Sequence, residues 1–395
     1  MKLLITDADQ RSSLAVTRSL GKKGVEVIAA DHGTSALSAK SKYCAGFFTY
    51  PSPYDHPDMF CDALHDEIVK RHIEIIFPMT DVTTYLILMN KARYEDHARI
   101  PFPSFDAYSS LTDKHFLFNT AQQLGIPCPE TVVVDSQNKP MNDLADLHFP
   151  LVVRPNRSHI YRKGTWTSMP VRYASNLQEL EVIINDERYQ DITLLVQEHI
   201  MGQGSGVFSI FNNGKPIGFF AHKRLREKPP TGGVSVLRES IPVDQEMKNH
   251  VVKLLSHLNW HGVAMVEFKV DEKTGISYLI EVNGRLWGSL QLAIDAGVDF
   301  PYLLFQMALG ELSEQPVTHY KTGVRSRWML GDLDHLYIRL THELKYLSPR
   351  YPSKLKCIME FLKLYEKNTK YEVESFSDPG PWIYEVKEYI RQLFK

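Results

Sequence analysis

Short apolar runs separated by amphipathic stretches dominate the first hundred residues of the chain. The runs at 2–6, 25–30 and 74–77 have the length of strands, and residues 11–23 have the spacing of a helix that ends near Gly24. Strands that alternate with helices predict a parallel sheet with helical crossovers. Ligands bind at the carboxyl ends of such strands. Polar residues stand at these ends: Asp7, Asp9, Arg11, Asp31, Thr80 and Asp81.

The pattern changes after Pro103, where we predict a domain boundary. A helix capped by Thr112 and ending near residue 124 is predicted next, followed by a mostly β region at 131–281. The predicted strands of this region are 151–154, 194–198, 207–211, 216–221, 263–270 and 277–282, and its predicted helices are 177–185 and 245–258. After about residue 308 the pattern predicts helices, the last of them at 382–394.

Length and composition restrict the class of protein. A chain of 395 residues is too long for one ordinary core and fits two or three packed domains. Its net charge of −2 provides no overall basic field for nucleic acid or for an anionic membrane. The four cysteines have no metal-binding spacing, and no apolar run is long enough for a signal peptide or a membrane span. We therefore expect a cytoplasmic protein without nucleic-acid partners.

The densest cluster of chemically useful residues lies at 262–285, GVAMVEFKVDEKTGISYLIEVNGR. Two predicted strands flank a turn at 271–275. On the second strand, Glu281, Asn283 and Arg285 are spaced by two residues, so their side chains share one face of the sheet. The sequence therefore predicts a polar face on this hairpin.

The register of the hairpin decides whether Glu267 joins that face. A five-residue turn pairs Glu267 with Leu279 and makes it a diagonal neighbour of Glu281, about 7–8 Å away at Cα. A four-residue turn would place the two acids on opposite faces. Two carboxylates and an amide oxygen are ligands suited to Mg²⁺. The alternative is an exposed hairpin with solvated charges, but apolar Val266 and Phe268 favour a core hairpin and thus the metal site.

Together with this hairpin, the segment from about residue 104 to 305 resembles the ATP-grasp superfamily. The resemblance is to the branch related to carbamoyl phosphate synthetase and biotin carboxylase, and within it to predicted ATP-dependent carboxylate–amine ligases. The single motifs are loose, but they occur in the order and spacing of the family. The implied fold, α/β and α+β, has a Rossmann-like N-terminal domain at 1–103, a two-lobed ATP-grasp domain at 104–310 (small lid lobe about 110–195, larger lobe about 196–310) and a helical C-terminal extension at 311–395.

The resemblance implies several nucleotide-binding residues. Lys114, in LTDKHFLFNTAQQLGIPCPET, matches the first phosphate-binding lysine. Arg154, in FPLVVRPNRSH, stands where the family usually has lysine; arginine keeps the charge and can bind phosphate through two hydrogen bonds. Residues 157–164 resemble the loop that closes over the γ-phosphate, although a solvated basic loop is an alternative. LLVQEHIMGQGSG resembles the hinge whose backbone binds adenine, which assigns Gln197, Glu198, His199 and Ile200.

The same resemblance assigns metal ligands and catalytic residues. Glu267, Glu281 and Asn283 match the metal ligands of the family. Arg285 matches an arginine that often faces the acyl phosphate or the substrate carboxylate. Among the basic residues of AHKRLREKPPTGGVSVLRES, Lys223 and Arg224 lie on opposite faces of any strand, and the resemblance selects Arg224.

The implied activity is the ATP-dependent activation of a carboxylate as an acyl phosphate, followed by its coupling to an amine. Its cofactors would be ATP and one or two Mg²⁺ ions, which Mn²⁺ could replace, and a homodimer is compatible with the resemblance. Arg11 and Asp81 are candidates for pairing with a substrate carboxylate and a substrate ammonium group, with turn and cap roles as the alternative.

Two other functions remain open at the level of sequence. One is a bicarbonate-activating carboxylase that works with a separate carrier. The other is a catalytically silent ATP-binding regulatory or scaffold protein, which Arg154 and the glycine-poor loop favour and the Glu267/Glu281/Asn283 set opposes. The lysine-rich segment 353–370 could be an amphipathic helix that contacts a membrane or partner, or a helix packed on its own domain.

Overall fold

The computed structural model of the chain describes residues 1–135, 144, 147–312, 317, 319–343 and 351–394. The first part of the chain forms a parallel sheet, the N-terminal sheet, with strands in the order β3-β2-β1-β4. Leu3, Leu4 and Ile5 are fully buried because helices cover both faces of such a sheet. The strands are β1 (Lys2–Ile5), β2 (Glu26–Asp31), β3 (Cys44–Thr49) and β4 (Ile75–Phe77), and the helices are α1 (Arg11–Gly21), α2 (Pro57–Arg71), α3 (Asp81–Met89) and α4 (Lys91–Tyr94). The predicted parallel sheet is confirmed, whereas β3 and α2 were not predicted.

Two helices connect the N-terminal sheet to the rest of the chain, α5 (Phe105–Thr112) and α6 (Lys114–Gln123). The predicted cap at Thr112 is wrong, because Thr112 is the last residue of α5. The carboxylate of Asp113 caps α6 instead, accepting a hydrogen bond of 3.0 Å from the backbone N–H of Phe116. This shift places Lys114 at the first position of the new helix.

A small antiparallel sheet follows, with strands in the order β5-β10-β6-β9. Its strands are β5 (Thr131–Val134), β6 (Leu151–Pro155), β9 (Arg172–Ala174) and β10 (Leu194–Glu198), and helix α7 (Leu177–Ile184) packs on it. A separate hairpin of β7 (Ile160–Arg162) and β8 (Thr165–Thr167), here called the lid hairpin, extends from this sheet. The two predicted strands and the predicted helix of this part are confirmed to within a residue.

The large sheet has its strands in the order β15-β14-β11-β12-β13-β16-β17. These are β11 (Gly202–Asn212), β12 (Lys215–Lys228), β13 (Val234–Ile241), β14 (Gly262–Asp271), β15 (Ser277–Asn283), β16 (Arg325–Arg327) and β17 (Thr369–Tyr371). Helices α8 (Gln245–His257), α9 (Leu290–Ala296) and α10 (Phe300–Leu309) accompany it, and short 3₁₀ turns lie at Ser38–Lys40 and Glu187–Tyr189. The predicted strands lie inside longer observed ones.

The C-terminal part differs from the helical prediction. It has helices α11 (Met329–Thr341), α12 (Lys354–Phe361) and α13 (Pro379–Leu393), but it also adds β16 and β17 to the large sheet. The predicted domain limits at 103 and 310 stay predictions. Within the part of the chain that the structure describes, none of the helices is by itself long and apolar enough to span a bilayer.

Candidate active site

The acidic hairpin β14–β15 brings Glu267 and Glu281 together. The two residues pair directly across the strands, and a β-bulge at Ile280 separates this pair from the Phe268–Leu279 pair. The predicted diagonal arrangement is therefore wrong. The last pair of the hairpin before its turn is Val270–Ser277. Leu279 points into the core, so an unbroken strand would also have turned Glu281 inward. The bulge returns Glu281 to the face of Glu267.

Two arginines from other strands offset the repulsion between these acids, which is unfavourable for like charges directly opposite each other. Arg154 on β6 donates to Oε2 of Glu281 at 2.7 Å. Arg224 on β12 donates to Oε2 of Glu267, also at 2.7 Å. The two predicted cations thus lie at the two predicted acids, and the small sheet meets the large sheet at this point.

Asn283 connects the remaining carboxylate oxygens. Its Nδ2 lies 3.3 Å from Oε1 of Glu281 and 3.4 Å from Oε1 of Glu267. Rotation of the amide would turn its oxygen toward the same point. The described residues contain no cluster of three His, Cys, Asp or Glu side chains placed for a metal. This set of two carboxylates and an amide nevertheless fits Mg²⁺, which prefers hard oxygen ligands and keeps several positions for water and phosphate.

The two acids differ in their electrostatic surroundings. Burial by itself raises the pKa of Glu281, but Arg154 and Lys114 outweigh burial and lower that pKa to about 2. For Glu267, burial raises the pKa and the charge of Glu281 adds to this effect, although Arg224 opposes it. A divalent cation between the two carboxylates would favour the ionised form of both.

Lys114 is buried at the start of α6, with 5% of its surface exposed. Its Nζ donates to Oγ of Ser158 at 3.1 Å. Burial, together with the charge of Arg154, lowers the pKa of Lys114 to about 8. A buried ammonium group beside an arginine suits an incoming anion, which supports the role that the resemblance gives to this lysine.

A cavity of about 250 Å³ extends from Lys114 toward the N-terminal sheet. Glu281 and Asn283 line one end, and aromatic side chains line the other. The complete lining comprises Asp81, Tyr85, Tyr108, Leu111, Thr112, Lys114, Arg157, Ser158, His159, Ile160, Tyr161, Trp166, Glu281, Val282 and Asn283. The predicted phosphate and metal residues therefore border a space large enough for a small substrate.

Arg285 lies behind this cavity and is not among its lining residues. Its guanidinium donates to both carboxylate oxygens of Asp81, at 2.7 and 3.1 Å. Burial raises the pKa of Asp81, but Arg285 outweighs burial and holds that pKa below its usual range. The sequence predicted Arg285 and Asp81 separately, and the structure brings them together as one partly buried ion pair.

Arg11 is not brought to the cavity. It pairs with Glu372, and its guanidinium lies 3.8 Å from the ring centre of Trp328. Lys223 and Arg224 point to opposite faces as predicted, since Lys223 pairs with Glu239 at 2.9 Å. Arg224 therefore joins the acidic hairpin, whereas Arg11 joins a buried ionic network near the C-terminus.

The predicted adenine hinge lies at the end of β10. Gln197 is buried and donates to Thr131 Oγ1 at 2.8 Å, while the carboxylate of Glu198 accepts from the backbone of His148 at 3.3 Å. Burial lowers the pKa of His199 to about 4. The carbonyl of Ile200 accepts from Lys269 Nζ at 3.3 Å. These residues form a continuous segment beside the acidic hairpin, and adenine recognition there stays a prediction.

Sequence reasoning missed the residues that close the cavity. His159, Tyr161 and Trp166 belong to the loop and lid hairpin, and Tyr85 belongs to α3. The loop was interpreted from its basic residues, and its aromatic residues were not singled out. No local pattern pairs Trp166 with Tyr85, whose ring centre lies 5.1 Å away, because they come from distant parts of the chain.

The chain shares its fold with solved structures of known enzymes. The chain is similar to the biotin carboxylase domain of the Hydrogenobacter thermophilus 2-oxoglutarate carboxylase (14% identity, TM-score 0.64, 82% of this chain and 73% of that chain). It is also similar to the L-amino acid ligase of Bacillus licheniformis (17%, 0.62, 80% and 77%). A third similar structure is the N5-carboxyaminoimidazole synthetase of Staphylococcus aureus (15%, 0.63, 82% and 80%).

Residues 190–331 match the family described as ATP-grasp in the biosynthetic pathway with Ter operon. This match within the chain, together with the shared fold, confirms the resemblance to the ATP-grasp superfamily seen in the sequence. No curated protein sequence matches the chain.

Proposed function

We propose that the protein is an ATP-dependent ligase that activates a carboxylate as an acyl phosphate and couples it to an amine. The observation that carries this proposal is the direct pairing of Glu267 with Glu281, with Asn283 touching both and a cation at each. A protein gains nothing for its stability from opposing two partly buried carboxylates, so the arrangement favours a functional explanation.

Each part of the site has a task in this reaction. Glu267, Glu281 and Asn283 would hold Mg²⁺, which when bound supplies neutralisation of the charge on the triphosphate. Lys114 and Arg154 would hold the phosphate oxygens, and the segment 197–200 would border adenine. Phosphoryl transfer needs such positioning and charge compensation more than acid–base chemistry.

The chemistry proceeds in two steps. A carboxylate oxygen of the first substrate attacks the γ-phosphorus, and ADP leaves. The amine then attacks the acyl carbon, a C–N bond forms, and the C–O bond to phosphate breaks. The cavity is closed at one end by the lid hairpin, which would keep water from the acyl phosphate.

The similar structures agree with this class of reaction. One is an L-amino acid ligase, and another is an N5-carboxyaminoimidazole synthetase. The structure from H. thermophilus is a dimer in complex with MgADP, ADP and bicarbonate. We extend nucleotide and Mg²⁺ use, and a homodimer, to this chain as part of the proposal.

The test is ADP release from ATP by the purified protein with pools of carboxylates and amines, with hydroxylamine added to trap the acyl phosphate as a hydroxamate. We expect Mg²⁺-dependent ADP release that requires a carboxylate, and loss of at least a hundredfold in the double variant Glu267→Gln, Glu281→Gln. The matched control replaces two exposed glutamates, Glu95→Gln and Glu272→Gln, and should retain full activity.

Other outcomes would point to the alternatives. Release of ADP with bicarbonate alone, without hydroxamate from any other carboxylate, would support a carboxylase. ATP binding without turnover in any mixture would support a silent ATP-binding protein and would overturn the ligase proposal.

A further inference from the structure

The cavity has an aromatic end that three elements build together. Tyr85 comes from α3, Tyr108 from α5 and Trp166 from the lid hairpin. The backbone N–H of Trp166 donates to the carbonyl of Tyr54 at 2.9 Å, and its ring packs against Tyr85. The lid hairpin is thereby docked on the N-terminal part of the chain and encloses this end of the cavity.

Asp81 presents a carboxylate to this aromatic end. Arg285 binds Asp81 from behind and favours its ionised form, but Arg285 itself does not line the cavity. A carboxylate that lines a cavity together with aromatic side chains is a combination that recognises an organic cation. A substrate carboxylate at the same place would instead be repelled.

His159 stands next to this carboxylate. Its Nδ1 is buried, has no hydrogen-bond partner among the described residues, and lies 3.8 Å from Oδ2 of Asp81. One nitrogen placed about 2.8–3.0 Å from each of these atoms would bridge them. Burial lowers the pKa of His159, so the neutral ring with a free acceptor is the form expected at neutral pH.

The groups that face His159 act in both directions. Asp81 favours the protonated ring, while Arg285 and Lys114 disfavour it, and the ring of Tyr54 lies 6.2 Å away. The imidazole is therefore neutral before the amine binds, and the charge of Asp81 stabilises the ring once it has accepted a proton.

We propose that Asp81 and His159 form the binding site for the amine substrate, which enters as a primary ammonium ion on an apolar or aromatic body. His159 accepts one proton from the ammonium group and so releases the nucleophile. Binding of the amine requires only the cavity; the proton transfer rests on the proposed ligase function.

The proton balance of the step is complete. The ammonium group gives a proton to Nδ1 of His159, and the neutral amine attacks the acyl carbon. The C–N bond forms, phosphate departs with the C–O electron pair, and the second proton of the amine nitrogen passes to the departing phosphate. His159 returns its proton to solvent.

Binding is tested by calorimetric titration of the 395-residue chain with Mg·AMP-PNP present. The probes are phenethylamine, 2-phenylethanol and 3-phenylpropionate, which share an aromatic body and differ in charge. We expect phenethylamine to bind at least tenfold more tightly than the other two, and Asp81→Asn to abolish that preference. Equal binding of the alcohol and the amine, or an unchanged preference in Asp81→Asn, would overturn the proposal.

Catalysis is tested with His159→Gln, which also serves if Asp81→Asn does not fold. We expect amide formation to fall at least tenfold and its acid limb to disappear from the pH profile, while hydroxamate formation persists because hydroxylamine is already neutral at that pH. The pair His65 and Asp66, 3.6 Å apart on α2, supplies matched controls. His65→Gln and Asp66→Asn should leave both reactions unchanged.

The two proposals fail in distinguishable ways. Absence of hydroxamate from the wild-type protein would refute the ligase and leave amine binding measurable. Normal hydroxamate formation together with unaltered amide formation in His159→Gln would refute the amine site and leave the ligase standing.

Discussion

Glu267 and Glu281 occupy opposed positions, yet each has a different partner. Arg154 comes from the small sheet and Arg224 from the large sheet, so the charge of the hairpin is balanced from two sides. Nδ2 of Asn283 lies within hydrogen-bond distance of Oε1 of both carboxylates, so these two oxygens and the amide lie close together. The residues that matter here act as a set, and single substitutions should give losses that are not additive.

Lys114 gives a prediction about pH. Its pKa of about 8 means that it loses its charge between pH 7 and 9 in the nucleotide-free protein. The dissociation constant for Mg·AMP-PNP should therefore rise about tenfold over that range, because the ligand must first recharge the lysine. Calorimetry from pH 7 to 9 measures this.

Two variants of Lys114 control for titration of the ligand itself. Lys114→Arg keeps its charge throughout and should bind with little dependence on pH, whereas Lys114→Gln should bind weakly at every pH. The same pH slope in wild type and Lys114→Arg would show that Lys114 does not carry the effect.

At the scale of elements, periodicity was sufficient for strands such as β1, β2 and β14 and for helices such as α1, α7 and α8. It was not sufficient for β3, β13 or α2. The strands β1, β2 and β4 are buried on both faces, and such strands can be predicted from a sequence because they form continuous apolar runs. The bulge at Ile280 was not predictable, because one extra residue leaves no composition signal and changes only the pairing. The same holds for β16 and β17, whose three residues each become strands by pairing with a sheet already formed.

The candidate site divides in a similar way. The residues of the acidic hairpin were predicted because a local spacing of two places side chains on one face. The partners Arg154 and Arg224 came from the order of motifs in a family. His159 and Trp166 were missed because their places in the cavity depend on contacts with Asp81 and Tyr85 of α3, which lie far away in the sequence.

Gly202 provides a prediction for the large sheet. A Cβ on Gly202 would lie 1.8 Å from the carbonyl oxygen of Val270, so the pairing of β11 with β14 must open there. Gly202→Ala should lower the free energy of unfolding by about 1–3 kcal/mol. Urea denaturation measures this. Gly204→Ala is the matched control, since its nearest neighbour would be 3.6 Å away, and equal losses in the two variants would contradict the explanation.

At the scale of the whole molecule, the C-terminal segment joins parts that are far apart in the chain. Glu372 pairs with Arg11 of α1 and, at 2.5 Å, with Arg238 of β13. Arg18 pairs with Asp378 at 2.8 Å and also donates to the carbonyl of Val373 at 2.9 Å. These buried contacts connect the N-terminal sheet with the large sheet.

Arg18 therefore gives a prediction for global stability. Arg18→Met leaves the carboxylate of Asp378, which is 2% exposed, without its ionic partner. The free energy of unfolding should fall by about 3 kcal/mol, as expected when one member of a buried pair is removed. Thermal and urea denaturation measure the change. The exposed pair of Arg188 with Asp186 is the control, and Arg188→Met should behave as wild type.

The ion pairs of Glu372 with Arg11 and Arg238 restrict which parts of the molecule can move when substrates enter. Ion pairs with the C-terminal segment join the N-terminal sheet to the large sheet, so we expect these two sheets to move as one body when a nucleotide enters. We expect the opening motion to involve the small sheet, β5-β10-β6-β9, together with the lid hairpin. Arg154 would move with this sheet, and its hydrogen bond to Glu281 would form only in the closed conformation.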